Sequence, residues 1–523
     1  MLRRLSGRSG ALAAHLATVV LVVYVATFRL GMPDAASDEY TYRRCGLLYI
    51  RDGSFLCNTA HPPLAKELIG VGLVLFGDSV TAARAVAACA AIATALFCYL
   101  FVRDVAGWPF GLVAAAMWGL LPQAGLDNGV SLEAIRIDRY GLLDPFMACG
   151  LAAALWLGWR WWTRGGLGWA ALAGAATAAS ACSKVPGMFA VPVVLGVPAA
   201  LRIWHGWRPG LRETAAAAGG VVAVVVACYA PFGLHGAVTA IHDMVSFQAA
   251  HAANGTAATY QHHFYRHAPW WSDLGYAQLG LGWPVTIGLG LACLPGVLVR
   301  PAAASFALGA SLSVWGLLTA LTNLSLPYYW IDWEPGVVAA GAIGLSVLWQ
   351  RVPSLLGSAA RLGAAAVSVP LAAGAVSTMV AVASVGIGPY QEAARVIRCR
   401  ACSVLYVGNG SVLANYLGPH TTWQDRGAPP GYLLVTKTRN LAVPEPGRRA
   451  TVPEPAYVVV DPASILAADL YAADTRAFER DADRLGFVRI PAPGRLLVWR
   501  RRSATTGDGL ASRGRVRRRR LLS

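Results

Sequence analysis

Apolar runs of about 20 residues recur along most of the first 386 residues, and arginine, glycine or proline ends nearly every one. In a bilayer each such run must close its own backbone hydrogen bonds, which makes it a helix. The spacing predicts about eleven spans, near 11–32, 80–102, 107–126, 140–160, 167–183, 185–203, 214–233, 282–299, 302–321, 334–350 and 362–386. With 56% of its residues hydrophobic and 14% charged, the chain reads as a polytopic α-helical membrane protein of the cell membrane. The basic flank "MLRRLSGRSG" resembles that of a signal peptide, but the run after it exceeds the usual 7–15 residue core, so a retained first span is expected.

The net charge of +17 does not point to nucleic acid, because most arginines punctuate span ends and no basic surface interleaved with aromatics appears. Arg3, Arg4, Arg8, Arg103, Arg160, Arg164, Arg202, Arg208, Arg212, Arg300 and Arg351 all fall on one side if every span is real, and that side is then the cytoplasm. The opposite face receives a first loop (33–79), residues 127–139, Lys184, a long outer loop (234–281) and "LSLPYYWIDWEP". After Val385 short β-rich runs alternate with Pro/Gly turns and an amphipathic stretch. This predicts a small extracytoplasmic α/β domain over 387–503, followed by a basic disordered tail over 504–523. The transmembrane domain is expected over 1–386.

Most of the unusual polar residues gather on the expected outer face. Asp38 and Glu39 follow span one, and acids there are either solvated or functional. His61-Pro62-Pro63 opens an interfacial helix, since proline suits a first turn, and a helix start with free N–H groups suits a phosphate. Lys66 lies on that helix; the chain has three lysines, and Lys66 and Lys184 both fall at the outer face, as snorkelling anchors or as phosphate ligands. Arg84 opens span two and Arg139 span four. Asp144, deeper in span four, reads as a ligand contact or as the ion-pair partner of Arg139. The long loop carries His262, His263, Trp270 and Trp271, for which an aromatic belt or a sugar platform are the alternatives; the histidine spacing does not favour a metal. Cys45 with Cys57 and Cys399 with Cys402 are two local pairs that form disulfides if that face is oxidising.

A carboxylate pair, several cations and an aromatic loop on one face are the parts needed for transfer from a lipid-phosphate donor: a base, cations for the leaving phosphate and faces for sugar. Four features in order then resemble the protein O-mannosyltransferases of the membrane glycosyltransferase C (GT-C) superfamily. They are "DE" after span one, "HPPLAKELIG", "LDN" followed by "DRYGLLD", and "YQHHFYRHAPWW", and they cover roughly residues 1–350. The resemblance implies a GT-C fold and an inverting transfer of mannose from a polyprenyl phosphate to Ser or Thr of an exported polypeptide, with no cofactor and no obligatory metal. Asp38 is then the base, with Glu39 beside it. Arg84 matches an arginine important in the family, and His61, Lys66, Arg84, Arg139 and Lys184 are expected around the phosphate. Asp144, His262, His263, Trp270 and Trp271 are expected around the substrates. The C-terminal α/β domain departs from the family pattern and "LPYYWIDWEP" matches it only loosely, so a relative that glycosylates a lipid or wall glycan shares the expected donor chemistry. A transporter or flippase would carry related halves and charges at mid-membrane, and the sequence shows no internal repeat.

Overall fold

The computed structural model describes residues 8–53, 56–127, 131–134, 136–254, 258–260, 263–265, 267–322, 325–350, 352–397, 403–407, 412–413, 416–417, 422–425, 455–462, 472–492 and 494–502. Two compact units divide the chain, Met1–Val385 and Gly386–Ser523.

The first unit is helical. It begins with α1 (Arg8–Thr27), α2 (Ser37–Asp52), α3 (Leu64–Phe76), α4 (Val80–Ala106) and α5 (Trp108–Leu120). It continues through α6 (Asp144–Arg164), α7 (Leu167–Ser183), α8 (Val197–His205), α9 (Trp207–Tyr229), α10 (Gly233–Asn254) and α11 (Ser272–Leu281), and closes with α12 (Trp283–Val299), α13 (Pro301–Thr322), α14 (Glu334–Gln350) and α15 (Val352–Ala383). Two short hairpins, β1 (Gly125–Asp127) with β2 (Ser131–Ala134) and β3 (Ala258–Tyr260) with β4 (His263–Tyr265), link helices. The expected first loop is therefore mostly the helices α2 and α3, and the first half of the expected outer loop 234–281 is the helix α10.

Among the described residues six segments are long and apolar enough to cross a membrane: Ser9–Thr27, Val80–Ala106, Val185–His205, Trp207–Ala250, Pro301–Thr322 and Leu362–Ala383. The pair α11 and α12, bent by 110° at Gly282, makes a seventh if it is one span. The expected spans at 107–126, 167–183 and 334–350 are helices of 13, 17 and 17 residues. The expected bounds 167–183 and 334–350 coincide with α7 and α14, whereas at 107–126 apolar content overestimated the length of α5. α6 and α14 are buried along most of their surface, so their apolar residues face other helices as well as any lipid.

Close helix approaches fix the geometry around the first polar segment. α2 crosses α3 at facing glycines: a Cβ on Gly70 would stand 2.2 Å from the Gly46 carbonyl oxygen. α7 and α9 pack in the same way, with a Cβ on Gly220 placed 2.0 Å from the Ala171 carbonyl oxygen. Ion pairs lock several helix ends that carry arginine, Arg160 with Asp104 and Arg202 with Glu213.

The second unit carries α16 (Pro389–Val396), a helix at Ala472–Asp481 and a five-stranded sheet. Its strands are β5 (Ser403–Val407), β6 (Thr422–Asp425), β7 (Tyr457–Val460), β8 (Phe487–Ile490) and β9 (Leu497–Arg501), in the spatial order β6-β5-β7-β9-β8. β5 is parallel to β6 and β7, whereas β9 is antiparallel to β7 and β8. Alternate side chains fill two cores: Val404, Tyr406 and Val459 on one face, Leu405, Val407 and Val458 on the other. The tail 504–523 and the pair Cys399 and Cys402 lie outside the described residues.

Candidate functional site

Glu39 and Asp38 are adjacent on the first turn of α2, and the structure gives them different surroundings. Glu39 is fully buried and accepts four hydrogen bonds: from the Ala36 N–H (2.7 Å), the Gly141 N–H (2.7 Å), Arg84 Nε (2.8 Å) and Arg84 Nη2 (2.9 Å). Arg84, buried on α4, donates its remaining hydrogens to the carbonyls of Leu30 (2.7 Å), Pro33 (2.9 Å) and Asp34 (2.6 Å). A guanidinium has five N–H groups, so Arg84 has none left for a phosphate. Both groups expected at the chemistry, Arg84 at the phosphate and Glu39 beside the base, are thus bonded to each other and to backbone in this structure. Together they clamp the end of α1 and the start of α2 onto α4 and the Tyr140-Gly141 turn.

Asp38 is half-buried and its Oδ2 accepts a hydrogen bond from the Tyr328 hydroxyl at 2.8 Å. Burial raises the carboxyl above the usual carboxylate range; the bonds from Tyr328 and Tyr42 and the charge of Lys184 oppose that rise, while Asp144 adds to it. Tyr328 comes from the segment between α13 and α14, 290 residues away in sequence. That segment delivers a second acid. Lys184, held at the end of α7 where Pro186 follows, donates from Nζ to Asp144 Oδ1 at 2.5 Å and to Asp332 Oδ2 at 2.7 Å. The same ammonium lies 3.5 Å from the centroid of the Tyr329 ring. Lys184 and Asp144 are thus brought together with Asp38, but the partner of Asp144 is Lys184 rather than Arg139. Among the described residues the Lys184 ammonium thus stands with the carboxyl groups of Asp38, Asp144 and Asp332 and the rings of Tyr328 and Tyr329.

The other expected cations divide. Lys66 is fully buried and donates to the Asn58 carbonyl (2.6 Å), the Asn58 side chain (3.4 Å) and the His61 carbonyl (2.8 Å). Those three acceptors match its three hydrogens, so Lys66, expected at the phosphate, holds the Asn58–His61 turn in this structure. Burial pushes the Lys66 ammonium down to about 7. The ring of His61 meets Tyr42 and Phe247 edge-on at 6.2 and 6.3 Å. α10 rests on this turn, with Gln248 donating to the Ala60 carbonyl at 3.2 Å. Arg139 is 3% exposed; its Nη2 donates to the Phe28 carbonyl, while Nε and Nη1 have no hydrogen-bond partner among the described residues. Burial lowers its pKa to about 10, so it stays protonated at neutral pH.

Cys45 and Cys57 are joined by a disulfide that ties α2 to the turn preceding α3. In the outer loop His262 lies outside the described residues and His263 falls on β4. Trp270 is 64% exposed and meets Trp315 edge-on at 6.2 Å, and Trp271 is half-buried against Tyr265. No group of three or more His, Cys, Asp or Glu is placed to hold a metal among the described residues. Reading the sequence did not single out Tyr42, Tyr328 or Asp332. The signal for the latter two was present in "LPYYWIDWEP", an acid among aromatics between two apolar runs, but no local pattern pairs it with Lys184.

Residues 60–234 match the dolichyl-phosphate-mannose-protein mannosyltransferase family. No curated protein sequence matches the chain. Among solved structures, ArnT from Cupriavidus metallidurans bound to undecaprenyl phosphate is 17% identical, covers 94% of this chain and 98% of its own, and has a TM-score of 0.59. Its apo form is 16% identical with the same coverage and TM-score. The protein O-mannosyltransferase Pmt1–Pmt2 complex of S. cerevisiae bound to its sugar donor is 20% identical over 45% of this chain and 34% of its own, at a TM-score of 0.34. Over residues 60–234, a segment that includes His61, Arg84, Arg139 and Lys184, the chain is similar to that mannosyltransferase family, and over most of its length it shares the fold of ArnT.

Proposed function

We propose that the chain transfers mannose from a polyprenyl-phosphate donor to Ser or Thr of exported proteins at the outer face of the cell membrane, by inverting single displacement. The carrying observation is Asp38: a half-buried carboxylate already bonded to a hydroxyl and set beside the Lys184, Asp144 and Asp332 cluster. Asp38 takes the proton of the acceptor hydroxyl as its oxygen bonds to the anomeric carbon, and the bond from that carbon to the phosphate oxygen breaks. The polyprenyl phosphate departs with the bonding pair. Arg139 carries N–H groups without partners among the described residues and, with the His61 helix start, is the group suited to hold it. The developing positive charge at the anomeric carbon suits a site with more carboxylates than cations. A polyprenyl phosphate is also the ligand in the ArnT structure that shares this fold.

A second reading keeps the donor and changes the acceptor to a lipid or wall glycan. It is favoured by one observation: the ArnT likeness extends over 94% of the chain, beyond the segment 60–234 that matches the mannosyltransferase family. We further read the bundle as eleven passes, with the shorter helices α5, α7 and α14 crossing inside it, and the second unit as extracytoplasmic. A C-terminal tag reached only from the cytoplasm would overturn that topology. Membranes given labelled polyprenyl-phosphate mannose test the function: label in protein supports the proposal, label in lipid or glycan supports the second reading, and substrate movement without covalent product overturns both.

A further inference from the structure

A buried acid outside the Lys184 cluster has a carboxylate oxygen that the fold leaves unmatched. Asp273, on the first turn of α11, is fully buried; its Oδ1 accepts a hydrogen bond from the Ser325 hydroxyl, whereas its Oδ2 has no hydrogen-bond partner among the described residues. The same is true within the cluster: Asp332 Oδ2 is taken by Lys184, but its Oδ1 is buried without a partner among the described residues. The two acids lie in the same region. Ser325 stands three residues before Tyr328, whose hydroxyl reaches Asp38, and α11 packs on the turn Tyr329–Asp332 so tightly that a Cβ on Gly280 would lie 2.5 Å from the Trp330 ring. The Lys184 ammonium also acts electrostatically on Asp273.

Buried carboxylate oxygens without donors are costly, and a fold retains them where something else supplies the donor. A phosphate has no donors and repels them. A sugar held between the phosphate and the base must present its hydroxyls to the walls around Asp38 and Lys184, and hydroxyls donate.

We propose that Asp273 Oδ2 and Asp332 Oδ1 accept hydrogen bonds from hydroxyl groups of the transferred sugar and so form its recognition subsite. This rests on the donor reading above and deepens it: the substrate class is a polyhydroxylated sugar unsubstituted at the positions facing these two acids. Asp273 is a specificity-determining residue, not a catalytic one, since it neither takes the proton nor touches the leaving phosphate.

The test is Asp273→Asn in the full-length protein, which keeps an oxygen for Ser325 and replaces the second acceptor by an amide donor. Binding is measured for two probes, polyprenyl-phosphate mannose and the same polyprenyl phosphate without sugar, and transfer is measured with the sugar-bearing donor and its monodeoxy analogues. The expected result is about tenfold to a hundredfold weaker binding and higher KM for the sugar-bearing donor, with sugar-free lipid unchanged. One monodeoxy analogue should be weak with the wild type and no weaker with the variant. Equal binding of both probes by variant and wild type overturns the subsite while leaving the donor reading standing, as does an equal loss for both probes, which marks a structural role. If the wild type binds neither probe, the donor reading itself falls.

Discussion

Asp38 and Glu39 are neighbours of like chemistry, and their replacement by the matching amides should fail in opposite ways. In Glu39→Gln one oxygen survives and the other becomes an amide that faces N–H donors, because both oxygens of Glu39 receive an Arg84 hydrogen and a backbone hydrogen. Two hydrogen bonds are lost and Arg84, itself 1% exposed, loses its counter-charge. Breaking a buried pair from one side costs about 3–5 kcal/mol, enough to remove much of the stability of an ordinary domain. In Asp38→Asn the bonds with the Tyr328 and Tyr42 hydroxyls can be kept, because a hydroxyl either donates or accepts. Stability should change by no more than about 1 kcal/mol. The variant lacks a base, so transfer should fall about 10²–10⁴-fold, which is again about 3–5 kcal/mol but placed in the barrier. The assay is paired: the fraction remaining monodisperse in detergent after heating, and transfer of labelled sugar per folded molecule. Glu39→Gln should lower the first and leave the second within a few-fold, and Asp38→Asn should do the reverse. Wild-type transfer by Asp38→Asn would sink the base assignment. Unchanged heat stability with lost transfer in Glu39→Gln would return Glu39 to the chemistry.

Arg84→Lys replaces five donors by three and should cut thermal stability, while the folded fraction keeps its KM for donor; a raised donor KM at normal stability would restore Arg84 as a phosphate ligand. Transfer per folded molecule should fall as pH drops through the raised Asp38 pKa, since the base must be ionised; the Tyr328 bond lowers that pKa, so Tyr328→Phe should move the midpoint to higher pH, and an unmoved midpoint would refute the coupling. Cys45→Ser opens a loop of sequence separation 12 and should cost about 3 kcal/mol, seen as heat instability that a reductant reproduces in the wild type but does not worsen in the variant.

Some of this was legible locally. The helical character of the first unit follows from apolar runs that must satisfy their own backbone, and the α/β character after Val385 from short alternating strands, Val404 and Tyr406 against Leu405 and Val407. The first turn of α2, the proline-led start of α3 and the Cys45–Cys57 proximity are likewise neighbours in sequence. Span lengths were less legible, because hydropathy does not distinguish lipid from other helices: α5 reads apolar over 20 residues and is helical over 13.

Residue types alone placed Asp38, Asp144 and Lys184 at one end of the bundle and marked them as costly to bury without purpose. Which cation meets which acid was decided only by the tertiary structure. Arg84 looks from the sequence like a phosphate ligand and is fully occupied by Glu39 and three carbonyls; Arg139 looks like the partner of Asp144 and keeps N–H groups unmatched among the described residues. The segment carrying Tyr328 and Asp332, almost 300 residues from Asp38, closes the site. The physical reason is that charge and apolarity are properties of single residues, whereas hydrogen-bond saturation is a property of the partners, and those come from distant parts of the chain.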